Sequence, residues 1–158
     1  MDRQHRPNGA LRHAHLPPRR PAPCEHCDMY RPVGRTDCTM AIACGCIDLG
    51  PGEPVAFTDG CDSGNTVSLH TPGIYYAVCT LHMPEGQATS ADLRLTLDDC
   101  PLPESCLHVR HNGAGTGHAQ AQAMFEITGP ARLQLMTTAP LQLQGDCPLI
   151  TLAVFRIA

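Results

Sequence analysis

The sequence predicts an all-β protein, an antiparallel β-sandwich of the jelly-roll kind, preceded by a disordered or extended cysteine-containing arm. Three observations predict it. Short segments with a period of two recur from about residue 38 to the last residue. Gly and Pro punctuate them, and no apolar pattern of helical period runs longer than a turn. Residues 1–37 show neither period and instead concentrate Pro, Arg and His.

Residues 1–23 hold five Pro, five Arg and three His, a composition that does not build a packed core. Residues 24–37 add Cys24, His26, Cys27 and Tyr30 without a strand or helix signal. The division is therefore an arm over 1–37 and a jelly-roll domain over 38–158. Charge follows the same division. The arm carries seven Arg and four acids, and the domain four Arg and eleven acids, giving +3 and −7. There is no Lys. A basic arm on an acidic body is suited to reach a neighbouring copy. Nucleic acid is not an expected partner, because the arm offers one aromatic, Tyr30, for base stacking.

The strands follow in order. Residues 39–48 read as a strand, residues 49–54 as a Gly/Pro turn and residues 55–57 as a short strand. Residues 58–65 read as loop. Residues 66–71 and 73–82 are strands on either side of Pro72. Leu93, Leu95 and Leu97 share one face of a strand over 92–98. Small apolar and polar residues alternate over 119–127, and residues 132–136 and 141–144 alternate again. Residues 150–158 form a last strand. Eight to ten short strands joined by Gly/Pro turns imply a sandwich. Aromatics make up only 4% of the chain and Trp is absent, so the core must be aliphatic.

No apolar stretch approaches the ~20 residues of a membrane helix, and no secretory leader pattern is present near Met1. The expectation is a protein made without a signal peptide, with no membrane insertion. Ten cysteines then need an explanation, since disulfides belong to oxidising compartments. Either they bind metal, or they oxidise after the protein is released from the cell.

The start Thr71-Pro72-Gly73-Ile74-Tyr75-Tyr76, the strand Leu93-Arg94-Leu95-Thr96-Leu97 and the end Leu149-Ile150-Thr151-Leu152-Ala153-Val154-Phe155-Arg156-Ile157 resemble the complement globular head and tumour-necrosis-factor-like jelly rolls. They are most similar to the C-terminal domain of bacterial exosporium collagen-like glycoproteins. The resemblance spans roughly residues 40–158. It departs from the family at Ala77 and Cys79, where large aromatics are usual, and a cysteine arm stands where those glycoproteins carry a collagen stalk. What it implies is a homotrimer, a spore-surface or other extracellular location, and Tyr75, Tyr76 and Phe155 in the core or the oligomer contact. It also implies that the first and last strands are neighbours, so that Cys147 would bridge Cys44 or Cys46 within or between subunits.

Among the cysteines, Cys100 and Cys106 flank a short turn and are expected to form a local bridge. Cys24 and Cys27 lie on an arm that could extend ~120 Å; with Cys38, Cys44, Cys46 and Cys147 they are the candidates for intermolecular disulfides. Cys79, mid-strand, is expected as a buried free thiol acting as a small hydrophobe. The alternative use is a zinc site from Cys24, Cys27, Cys44 and Cys46, although a Cys-x-Cys pair is unusual for one.

The nine His scatter, no Ser sits in a nucleophile elbow, and no nucleophile–His–carboxylate spacing appears, so an enzyme is not expected. Asp98, Asp99 and Glu104 offer too few oxygens for calcium, and no cofactor is expected. The function expected is a structural, self-assembling subunit of an extracellular or spore-surface fibre or coat, such as an endospore appendage or exosporium layer. Its jelly roll would oligomerise, its arm would cross-link by disulfides, and its partners would be its own copies and other spore-surface proteins. The alternatives are a trimeric ligand- or receptor-binding head and a zinc-stabilised intracellular module.

Overall fold

The computed structural model describes residues 38–60 and 64–158, for Cys38, Asp59 and Cys147 the backbone alone. The arm, with Cys24 and Cys27, and the loop residue Cys61 lie outside the described residues. Among the described residues every regular element is a strand, and no helix is long and apolar enough to cross a membrane.

Ten strands run in order: β1 (Cys38–Leu49), β2 (Asp59–Gly60), β3 (Val67–Leu69), β4 (Gly73–Met83), β5 (Thr89–Leu97), β6 (Cys100–Pro101), β7 (Leu107–His111), β8 (Gly117–Ile127), β9 (Ala131–Thr137) and β10 (Leu141–Arg156). They form two antiparallel sheets. The first has the order β2-β1-β10-β4-β8 and the second β3-β9-β5-β6, with β7 also paired to β5. The alternation read from the sequence sets the layers. In β9, over residues 89–95 of β5 and over residues 121–127 of β8, every second residue is buried, which turns Leu93, Leu95, Ala121, Ala123, Phe125, Leu133 and Leu135 toward the opposite sheet. The core is aliphatic, as the composition requires. Ala77 and Cys79 are both inside it, and Tyr75 stacks on Phe125 with ring centroids 5.9 Å apart. Cys79 is free and buried, and desolvation pushes its thiol up to about 12.

Three local readings differ from the sequence expectation. Residues 55–57 form no strand. Their backbone crosses between the sheets, with Val55 N donating to Leu135 O at 2.8 Å and Thr58 N to Ile42 O at 2.8 Å. No two neighbouring residues there share one ladder. The two terminal strands expected over 141–144 and 150–158 are one strand, β10. It pairs with β1 on both sides of a register shift between Ala43 and Gly45, which places Cys44 opposite residues 146–149. Pro148, which has no N–H to give a ladder, falls inside that bulge. Residues 107–111, given no strand in the sequence reading, form β7 on the free edge of β5.

The β5–β6 hairpin explains two of the acidic residues. Leu97 pairs with Cys100 across Asp98 and Asp99, both in the left-handed region at φ 47° and 67°. Aspartate tolerates this conformation better than most residues, and two positive φ values suit the twist of a two-residue hairpin. Asp98 Oδ1 accepts from Arg132 N at 2.8 Å and Asp99 pairs with Arg132 at 3.2 Å. These carboxylates serve the turn.

Candidate self-association face

β4 and β10 lie inside the first sheet, flanked on both sides by strands. Their sequences are apolar on both parities, unlike the clean alternation of β5 or β9. Inward from β4 point Tyr75, Ala77, Cys79 and Leu81, all buried. The residues between them face outward. Cross-strand register then assembles rows on the outer face of this sheet, since directly paired residues share a face. One row is Phe155, Tyr76 and Met124. The next is Met40, Ala153, Val78 and Gln122, and a third is Ile42, Thr151, Thr80 and Gln120.

None of these side chains is charged. Met124 is 67% exposed, and Ile74 (37%) and Ile157 (53%) extend the apolar end of the face. The Tyr76 hydroxyl donates to Gln122 Oε1, tying the first two rows together. The outer face of the second sheet is different in kind. It carries Asp92 paired with His108, Arg94, Arg110, and Arg132 paired with Asp98 and Asp99. One sheet thus presents a solvated charged surface, and the other three successive uncharged rows with exposed apolar groups, bordered by Glu126 across from Ile74 and by Asp48 across from Gln142.

At the far end of the same face His82 lies directly across from His118. Desolvation, and then the charge of His118, hold the His82 imidazole below its ordinary value.

Of the residues singled out in the sequence, Tyr75 is in the core, with its hydroxyl donating to Thr71 O at 2.7 Å, and Tyr76 and Phe155 are on the outer face. Cys46, Cys100 and Cys106 are free and exposed. The local Cys100–Cys106 bridge is therefore not formed. Ser105, 1% exposed, closes that turn in its place, its hydroxyl accepting from Leu95 N at 3.1 Å and bonding Leu102 O at 2.7 Å. With residue 105 turned inward, Cys106 points to solvent.

Cys44 is disulfide-bonded within the chain, and its partner is none of the free cysteines Cys46, Cys79, Cys100 and Cys106. This corrects its place among the intermolecular candidates and removes a thiolate from the zinc set of Cys24, Cys27, Cys44 and Cys46. Among the described residues no group of three or more His, Cys, Asp or Glu is placed to hold a metal. Cys38 opens β1 opposite Phe155, and Cys147 lies in the β10 bulge. The outward residues Met40, Val78, Met124 and Ala153 were not singled out by the sequence reading. The available signal was the loss of alternation over residues 74–79 and 150–155, the mark of strands covered on both faces.

No protein-family model matches the sequence, and no characterised protein matches it at the sequence level. Solved structures do match in shape. The globular domain of zebrafish complement 1qA superposes with a TM-score of 0.55 at 14% identity, covering 77% of this chain and 98% of that one. Murine APRIL at pH 5.0 gives 0.53 at 7% identity, covering 77% and 98%. Eiger TNF from S. frugiperda gives 0.50 at 11%, covering 77% and 91%. The described domain has the jelly-roll fold of the complement globular head and the tumour necrosis factors.

Proposed function

We propose that this chain is a non-enzymatic structural subunit that assembles with its own copies, as a homotrimer packed through the outer face of the first sheet, in an extracellular or spore-surface layer. The observation that carries the reading is the contrast between the two outer faces. Three successive rows on the first sheet contain no charge and include Met40, Tyr76, Val78, Met124, Ala153 and Phe155. A closed ring buries such a face on every copy at once. Disulfides between copies then harden the assembly after release from a reducing cell, with the arm cysteines Cys24 and Cys27 and the exposed Cys46 as the links. The similarity to the complement head and tumour necrosis factors supports the same architecture.

Light scattering on reduced, full-length protein tests the first part. The expected mass is three copies of the 17.0 kDa chain. Val78→Glu places a carboxylate at the centre of the face and should give a folded monomer. A wild-type monomer, or a trimer that survives Val78→Glu, overturns the interface. A denaturing gel with and without thiol tests the second part. A ladder that reductant collapses, and that Cys24→Ser with Cys27→Ser removes, is expected. A single unreduced band at chain mass rules out the covalent layer.

A further inference from the structure

A cleft of about 150 Å³ opens at the end of the sandwich where β3 of one sheet leaves β1, β4 and β10 of the other. Its lining includes Thr39, His70, Thr71 and Arg156, with Tyr75 and the buried Leu69 and Val154. Among the described residues no Asp or Glu lines it.

Arg156 occupies a position that strand parity assigns to the interior. It follows the inward Leu152 and Val154 along β10, and it pairs in register with the buried Tyr75. Its side chain is nevertheless partly exposed, at a level where a carboxylate partner is common but not required. Arg156 makes no ion pair among the described residues, and the Ala158 oxygen is the acceptor that comes near it, at the Gly73 approach. Its Nε donates to Pro72 O at 3.2 Å, and its terminal nitrogens have no partner among the described residues. The contrast with Arg132 is direct, since Arg132 is paired with Asp98 and Asp99 on the outer surface. In a domain whose 38–158 segment has four Arg against eleven acids, an Arg in a cleft without an acid is a departure from the local charge balance.

The guanidinium fork matches oxyanions, because two parallel N–H donors meet two oxygens. The Thr39 and Thr71 hydroxyls and the His70 ring add neutral or charged donors around the same space. Leu69 and Val154 exclude water from one side, which strengthens a charge-assisted bond. The volume is that of a cavity able to take a benzene-sized group, well below the ~300 Å³ at which drug-sized pockets begin.

We infer that this cleft is a binding site for a small oxyanion, a carboxylate or phosphate group, seated on the Arg156 guanidinium with His70 and the flanking threonine hydroxyls as further donors. The inference does not depend on self-association, and a monomeric variant retains the site.

The test is a titration of the full chain with inorganic phosphate and, separately, with acetate, at ionic strength held constant with sodium chloride. Backbone amide shifts are followed at Thr71, Gly73 and Arg156. Saturable shifts at these residues with either anion support the site, and the tighter of the two assigns the ligand class. Arg156→Gln should weaken binding by about tenfold or more, the size of one lost charge-assisted hydrogen bond. His70 is exposed, so His70→Gln should fold normally and weaken binding severalfold; it carries the test if Arg156→Gln does not fold. Shifts that stay linear, that chloride alone reproduces, or that persist with unchanged affinity in the variants overturn the inference.

Discussion

Gly73→Ala is the substitution that probes the Thr71-Pro72-Gly73 strand start most directly. Gly73 has φ 152°, a region L-residues rarely adopt. A Cβ there overlaps the carbonyl oxygen of Ala158 and approaches Arg156 Nε to 2.7 Å. The first obstacle is backbone, so a rotamer change does not relieve it. Holding a non-glycine in such a region costs about 1–3 kcal/mol. Moving Ala158 aside breaks the Ile74 N to Ala158 O bond of 2.8 Å and strains the Ile157 N to Ile74 O bond beside it. Each is worth about 0.5–1.5 kcal/mol net. Reduced freedom of the unfolded chain returns about 0.4–1 kcal/mol. The expected loss is about 2–4 kcal/mol, against a total stability of about 5–15 kcal/mol for an ordinary domain. Urea unfolding at one fixed, reduced protein concentration reads it as a lower midpoint with an unchanged slope. Gly129 supplies the internal comparison, since a methyl group added there would meet nothing within 4 Å. Gly129→Ala should stay within about 0.5 kcal/mol of wild type or gain slightly. Equal effects at the two glycines would refute the argument from close approach.

Ser105→Ala leaves the buried Leu95 N–H without its acceptor and should cost about 1–3 kcal/mol by urea unfolding. Cys79, held to about 12 by burial, should resist alkylation in the folded protein while Cys46, Cys100 and Cys106 react, as read by peptide mass mapping. Between pH 9 and about 12 the unfolded chain releases the Cys79 proton and the folded chain keeps it, so stability falls with rising pH by up to about 1.4 kcal/mol per unit; Cys79→Ala should flatten that slope. His82 is shifted the other way. As pH drops below the ordinary histidine range the unfolded chain takes up a proton that the folded chain resists, so stability falls toward acid, and less so in His118→Gln. Nuclear magnetic resonance titration of the His82 ring checks the direction.

Fold class was legible because Leu93, Leu95 and Leu97, or Leu133 and Leu135, alternate against polar neighbours, and period two admits one kind of element. Strand ends were less legible where tertiary pairing decides them. Nothing local to residues 145–148 tells whether Gly145, Asp146, Cys147 and Pro148 turn the chain or bulge within one strand. Continued pairing with β1 on both sides settles it. The Cys100–Cys106 expectation failed for a related reason. Sequence spacing brings two thiols near a turn, but only the inward commitment of Ser105 decides that Cys106 faces out. Of the outer-face residues, Tyr76 and Phe155 were reached through their resemblance to a family, not through periodicity. Arg156 was not legible as a cleft residue, because its parity matters only once β10 is placed beside Tyr75.

β4 joins the core and the outer face in one strand. Its inward positions include the small Ala77 and Cys79, while its outward positions carry Ile74, Tyr76 and Val78. Aromatics at 77 and 79 would put more apolar bulk inside this sheet than Ala77 and Cys79 do. A monomer then buries less on folding, and a larger share of its apolar surface is left for a neighbour. On the proposed reading, folding and association are coupled by mass action, because copies bind the native state and not the unfolded chain. The midpoint of thermal unfolding of the reduced protein should therefore rise with protein concentration. It should become independent of concentration in Val78→Glu, which removes the interface and leaves the core intact. A wild-type midpoint that does not move over a hundredfold range, roughly 2.7 kcal/mol of mass action, means that the uncharged face contributes nothing to stability and is covered by something other than a second copy.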